Sequence, residues 1–129
     1  MNTIILYHFS YKKFVLVPVR LNGTNSTNTE GYVEAFEENS GQWGNICDNS
    51  FSIIDAHVVC KMLGYHTAIE ALTNSDALNL FGTEPSGSDF TIDNLDCSEY
   101  DTSIFDCSLA NEHTSECAIA GVKCAKSKL

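Results

Sequence analysis

Basic side chains are scarce in this sequence: 7 Lys and Arg stand against 17 Asp and Glu in 129 residues, for a formal net charge of −10. A surface of that sign repels phosphate backbones and anionic lipid alike. It argues against nucleic acid and leaves cationic proteins, neutral glycans or divalent cations as allowed partners. Also missing is any apolar run approaching the roughly 18 residues of a membrane span, so no direct insertion into a bilayer is expected. No two cysteines are spaced Cys-x-x-Cys, which removes zinc ribbons and thioredoxin-like motifs. Internal repeats and low-complexity tracts are absent too, and the length fits one compact domain with tails.

What the sequence does have is an even set of six cysteines, at 47, 60, 97, 107, 117 and 124. In a small acidic domain these read as a disulfide framework made in an oxidising compartment, which places the chain outside the cell. Six cysteines admit many pairings, and spacing alone selects none. Two N-glycosylation sequons, Asn22-Gly23-Thr24 and Asn25-Ser26-Thr27, point to the same compartment. Residues 1–19 form two short apolar pieces interrupted by Ser10, Lys12 and Lys13. A secretory signal wants its basic residues first and an unbroken apolar centre, so this segment reads as a fragment edge or a degenerate signal.

Hydrophobic patterning places strands at 14–21, with Pro18 at an edge, at 31–37, 42–47 and 90–95, and near 120–124. The strongest helix is predicted over 53–63. Ser52 caps it, Asp55 lies in its first turn, Ile53, Ala56, Val59, Cys60 and Leu63 share its buried face, and Gly64 ends it. His57 falls on the polar side of that helix. A second, weaker helical stretch centres on Ala68–Leu72, and residues 82–89 and 108–116 read as loops. The fold class is α+β: a curved antiparallel sheet cradling one main helix.

Specific residues carry a family resemblance. Val19-Arg-Leu-Asn-Gly23, Glu30-Gly-Tyr-Val-Glu-Ala-Phe36 and Gly41-Gln-Trp-Gly-Asn-Ile-Cys-Asp-Asn49 stand in order before Asp55-Ala-His-Val-Val-Cys-Lys-Met-Leu-Gly64. Ile92-Asp-Asn-Leu-Asp-Cys97, Ser103-Ile-Phe-Asp-Cys107 and Ala120-Gly-Val-Lys-Cys124 follow. This ordered set resembles the scavenger receptor cysteine-rich (SRCR) domain, six-cysteine group. The resemblance implies a domain over 19–125, flanked by an N-terminal segment 1–18 and a tail 126–129. It also implies the pairs Cys47–Cys117, Cys60–Cys124 and Cys97–Cys107. Phe51 and Phe105 stand where the family usually has tryptophan.

The resemblance further implies a calcium site built from an acidic pair after Cys47 and an acidic residue in the last loop. Here the pair is Asp48-Asn49, and Ala118-Ile119-Ala120 offers no carboxylate, with Glu116 outside the matched position. Calcium needs several charged oxygens, so at most a weak site is expected, with Asp93 and Asn94 as a second oxygen cluster of the same standing. No other cofactor is expected. Catalysis finds no support: bridged cysteines leave no thiolate, the four histidines are scattered, and no serine sits in a nucleophile elbow. Loop 82–101 interleaves Phe90 and Tyr100 with Glu84, Asp89, Asp93, Asp96, Glu99 and Asp101, a surface suited to a basic partner, with Glu99, Tyr100 and Asp101 as its contact residues. The expected function is an extracellular, non-catalytic module that binds a protein or glycan ligand, in scavenger-type recognition and innate immunity. The alternative is an accessory module of a larger secreted or membrane-bound protease or oxidase.

Overall fold

The computed structural model describes residues 5–8, 14–85, 90–109 and 117–129. Asp89, His113, Glu116 and most of the loop expected at 108–116 lie outside these, as do residues 1–4 and 9–13 of the N-terminal segment.

Strands β1 (Ile5–His8) and β2 (Phe14–Val17) pair antiparallel, from Ile5 opposite Val17 to His8 opposite Phe14. Pro18 has no N–H to offer a ladder and separates β2 from β3 (Val19–Asn22), while its carbonyl accepts from the Phe36 amide at 2.8 Å. Strand β4 (Glu30–Glu37) is the centre of the main sheet and turns back through residues 38–41 into β5 (Gln42–Ile46). Gly41 supplies the left-handed residue of that turn, at φ +69°.

Helix α1 (Ile53–Met62) follows, then β6 (Ala68–Leu72), helix α2 (Asn74–Phe81) and β7 (Phe90–Ile92). The last elements are β8 (Leu95–Asp96), a 3-10 turn η1 (Ile104–Asp106), β9 (Ser108–Leu109) and β10 (Gly121–Cys124). Tyr32 pairs with Asn22 of β3 and Gly121 of β10, and Glu34 pairs with Arg20 of β3 and Asn45 of β5. A strand residue has one neighbour on each side, so β5 and β10 lie end to end along one edge of β4 and β3 lies along the other. β6 extends the sheet beyond β10, and β7 joins β5 in parallel, the one parallel pair among the described strands.

The helix predicted over 53–63 ends one residue earlier, with Leu63 as its cap and Gly64 at φ +96° beyond it. Its buried face is Asp55, Ala56, Val58, Val59 and Cys60, whereas Ile53 is 41% exposed. The face is therefore rotated toward Val58 relative to the predicted stripe. It packs into one core with Val19, Val33, Ile46 and Val122 of the sheet. A smaller cluster joins Tyr32, Leu72, Ala77, Phe81 and Ile119, with Tyr32 and Phe81 edge to face at 5.4 Å. A Cβ on Gly121 would lie 2.5 Å from the Phe81 ring, so glycine there is what lets α2 close on the sheet.

The weak helix expected at Ala68–Leu72 is instead strand β6, paired with β10 from Ala68 opposite Cys124 to Leu72 opposite Gly121. The helical residues lie just after it, at Asn74–Phe81. Ladder bonds from a distant strand override a local preference built on Ala, Glu and Leu.

His57, expected on the polar side of α1, is half-buried and faces β6. Its Nδ1 accepts the Ala68 amide at 3.0 Å and lies 2.6 Å from Thr67 Oγ1. Because the amide donates to it, Nδ1 carries no proton, and the threonine hydroxyl is a second donor. His57→Ala would leave the Ala68 amide without this acceptor, while the Thr67 hydroxyl keeps the Ala68 carbonyl at 3.5 Å. It is expected to cost about 1–2 kcal/mol in urea unfolding, with His57→Asn, which keeps an acceptor, recovering part of the loss. Equal stability of the wild type and the alanine variant would refute this role.

Three disulfides lock the layers: Cys47–Cys117, Cys60–Cys124 and Cys97–Cys107, leaving no free cysteine. At the C-terminus, Ser127 and Leu129 bond back to His66 and Gly64.

Candidate functional site

Asp55 is the hinge of the local architecture. Only 1% exposed, it accepts the Ser52 amide at 2.7 Å and the Ser52 hydroxyl at 3.1 Å on Oδ2, and the Cys97 amide at 2.8 Å on Oδ1. It thus closes the first turn of α1 and ties that turn to the start of the Cys97–Cys107 loop. Burial pushes its carboxyl above the usual carboxylate range against the pull of these three hydrogen bonds, and nearby Asp96 adds to the rise. A first-turn acid was expected here as a partner of the helix dipole. The structure adds a long-range contact to Cys97 that no local pattern encodes.

The loop from Cys97 to Cys107 is held at its base by the disulfide, whose Cα atoms are 4.5 Å apart. Two anchors fix it to α1. Cys97 hangs from Asp55 near the helix start, and buried Ile104 directs its amide at Met62 Sδ, 3.3 Å away, near the helix end. Between them a tight turn forms. The Ser98 amide donates to Asp101 Oδ2 at 2.8 Å, the Asp101 amide to the Ser98 carbonyl at 3.1 Å, and the Tyr100 amide to Ser98 Oγ at 3.3 Å.

The result is Tyr100 held out at 85% exposure on a cross-linked base. Glu99 is exposed beside it, and exposed Asp96 and Asp106 flank the two cysteines. Phe105, in the place of a family tryptophan, is 45% exposed, whereas Phe51 is buried. Of the predicted contact residues, Glu99 and Tyr100 face solvent while the Asp101 carboxylate is turned inward to close the turn. The spacing Ser98-x-x-Asp101 is a local signal from which that inward bond is legible. Glu84, counted with the same acidic surface, bonds the Ile119 amide at 3.2 Å.

The residues named for calcium lie around the Cys47–Cys117 bridge. Asp48 accepts the Asn74 amide on Oδ2 at 2.9 Å and the Ala118 amide on Oδ1 at 3.2 Å, so its carboxylate joins the start of α2 to the last loop. The Asp93 carboxylate lies close to the sulfurs of Cys47 and Cys117, and Asn49 is half-buried. Asn94 is buried at φ +56° and turns the chain between β7 and β8. The sulfurs in this group, and in Cys97–Asp101–Cys107, are joined in disulfides and have no thiolate for a metal.

The two sequon asparagines differ. Asn22, the last residue of β3, donates from Nδ2 to Glu34 Oε1 at 3.1 Å and accepts the Gly23 amide on Oδ1 at 2.7 Å. Glu34 is only 2% exposed and is ion-paired with Arg20 Nε at 2.9 Å, and the Arg20 guanidinium lies 4.2 Å over the Trp43 ring. Period-two alternation does not reveal that Glu34 is buried, because β4 is covered on both faces. Asn25 is exposed, with its backbone amide bonded to the Phe81 carbonyl at 3.1 Å. No helix among the described residues is long and apolar enough to cross a membrane.

A profile of the scavenger receptor cysteine-rich domain matches residues 22–125. Galectin-3-binding protein of Rattus norvegicus is 36% identical over 108 residues, covering 81% of this chain and 17% of that protein. Lysyl oxidase homolog 2 of Mus musculus is 33% identical over 118 residues, covering 89% of this chain and 14% of that protein. The chain therefore spans less than a fifth of either relative. Among solved structures, the third SRCR domain of murine neurotrypsin superposes with a TM-score of 0.66 at 32% identity, covering 83% of this chain and 94% of that one.

Proposed function

The chain belongs to the scavenger receptor cysteine-rich family, and from that premise we propose that it is an extracellular recognition module whose contact surface is the Cys97–Cys107 loop. Domains of this family are non-catalytic and bind ligands, and this chain is such a module. The finer reading is carried by one observation: Tyr100 is 85% exposed at the tip of a loop fixed by a disulfide and two anchors to α1. A solvent-facing aromatic on a rigid base loses little freedom on binding, which is what an interface anchor requires. The exposed carboxylates of Asp96, Glu99 and Asp106 around it favour a basic protein surface and speed its approach. One relative's name, galectin-3-binding protein, agrees with a protein ligand in kind.

The test takes a partner captured by proximity labelling at the cell surface and measures its affinity by biolayer interferometry. Tyr100→Ala is expected to weaken binding about tenfold or more, and Glu99→Lys to slow association and reduce its salt dependence. Both should leave the unfolding midpoint in place, since neither side chain is buried. Unchanged affinity in Tyr100→Ala removes the loop from the interface.

A second reading has the module serving a larger secreted or membrane-bound protease or oxidase. It is favoured by the length of the relatives, one of them a lysyl oxidase homolog of which this chain matches 14%. Sequencing the full transcript decides it: an in-frame oxidase or protease domain supports this reading, and its absence removes it.

A further inference from the structure

We propose that the mature protein carries a single N-linked oligosaccharide, on Asn25, and that Asn22 stays bare. Both sequons end in threonine, so the sequence treats them alike. The structure does not. Both ends of the Asn22 carboxamide are in use, and its nitrogen is one of the donors that stabilise the buried Glu34 carboxylate. A sugar ring on that nitrogen must fit beside a buried ion pair. Turning the amide outward instead withdraws a donor from a charge that has left water. Asn25 has neither obligation. Its side chain makes no hydrogen bond among the described residues, and its backbone is pinned to Phe81, so the amide is presented without being used. Asn25 is exposed and lies beside Gly82, at φ +81°, where a Cβ would meet Thr24 Cβ at 3.1 Å.

The chemistry is group transfer from a lipid-diphosphate-linked oligosaccharide. The Asn25 Nδ2 forms a bond to C1 of the first N-acetylglucosamine, and the bond from C1 to the diphosphate oxygen breaks. One amide proton passes to a base of the transferase, and the lipid diphosphate departs. Transfer precedes completed folding, so discrimination acts through the folded product. A chain modified at Asn22 keeps one N–H for Glu34 but must seat the glycan beside the Arg20–Glu34 pair as β3 docks on β4, and such chains are depleted from secreted material.

The experiment secretes the full chain from animal cells, removes glycans enzymatically in heavy-oxygen water, and reads the labelled aspartate by peptide mass spectrometry. The label is expected at position 25 and not at 22, in the wild type and in Thr24→Ala. Asn25→Gln is expected to be secreted without a glycan. A glycan on Asn22 of secreted wild type, an unmodified Asn25, or normal secretion of Asn25→Gln carrying its sugar at Asn22 would each overturn the assignment.

Discussion

Replacing both Cys60 and Cys124 by alanine is expected to lower the unfolding free energy by about 4 kcal/mol and the thermal midpoint by roughly 15 °C. The bridge spans 64 residues and connects two buried positions, one on α1 and one on the last strand of the sheet. In the unfolded chain it removes the freedom of a long loop. In the folded one it holds α1 on its sheet. The Cys97–Cys107 bridge, across 10 residues, confines a shorter loop, and its removal should cost about 3 kcal/mol by the same estimate. Urea unfolding of the two double variants gives the ordering directly. A Cys60/Cys124 variant as stable as the wild type would show that packing alone secures the helix.

The second large effect is expected at Asp55, where Asp55→Asn should cost about 3 kcal/mol at neutral pH. The carboxylate meets backbone N–H groups on both oxygens. An amide has one acceptor, so whichever way it turns, an NH2 faces a buried N–H. The protonated acid escapes this conflict, because its hydroxyl can donate to Ser52 Oγ and still accept from the Ser52 amide.

The pH dependence follows from the direction of the shift. Burial raises the Asp55 carboxyl in the folded state, so the folded protein holds that proton more tightly than the unfolded chain. Its contribution is fully present below the unfolded-state value and is lost as the pH rises through the folded-state one. The stability gap between wild type and Asp55→Asn, measured pH by pH, should therefore widen on acidification. A gap that narrows would show the carboxylate, rather than the acid, to be the form that the fold prefers.

Much of this architecture is legible in the sequence because its signals are local. Ser52 and Asp55 mark the entry to α1, Gly64 marks its exit, and the alternation from Gly31 to Glu37 marks the central strand. What escapes is set by contacts between distant segments. Ala68–Leu72 has helix-forming residues and becomes a strand only because β10 arrives beside it. Asp55 reads as a dipole partner until Cys97 is seen on its other oxygen. His57 reads as a residue of the polar side of α1 until Ala68 is placed against it, and no local pattern pairs Glu34 with Arg20. At the site, an acidic, aromatic loop is visible from composition. The Ser98-x-x-Asp101 spacing carries the inward turn of Asp101, whereas the outward setting of Glu99 and Tyr100 depends on the loop's anchors to Asp55 and Met62, which no local pattern encodes.

The placement of β10 between β4 and β6 has a consequence for biosynthesis. While the ribosome is still delivering residue 120, the strands already made have a vacant slot between them, and Cys60 awaits a partner that does not yet exist. Cys47 waits almost as long for Cys117. Until then Cys47 and Cys60 lack their native partners and can join each other, or Cys97 and Cys107, in non-native links. Closure of the Cys47–Cys117 and Cys60–Cys124 bridges is therefore a late event, and any earlier non-native link has to be undone by thiol–disulfide exchange before β10 can dock.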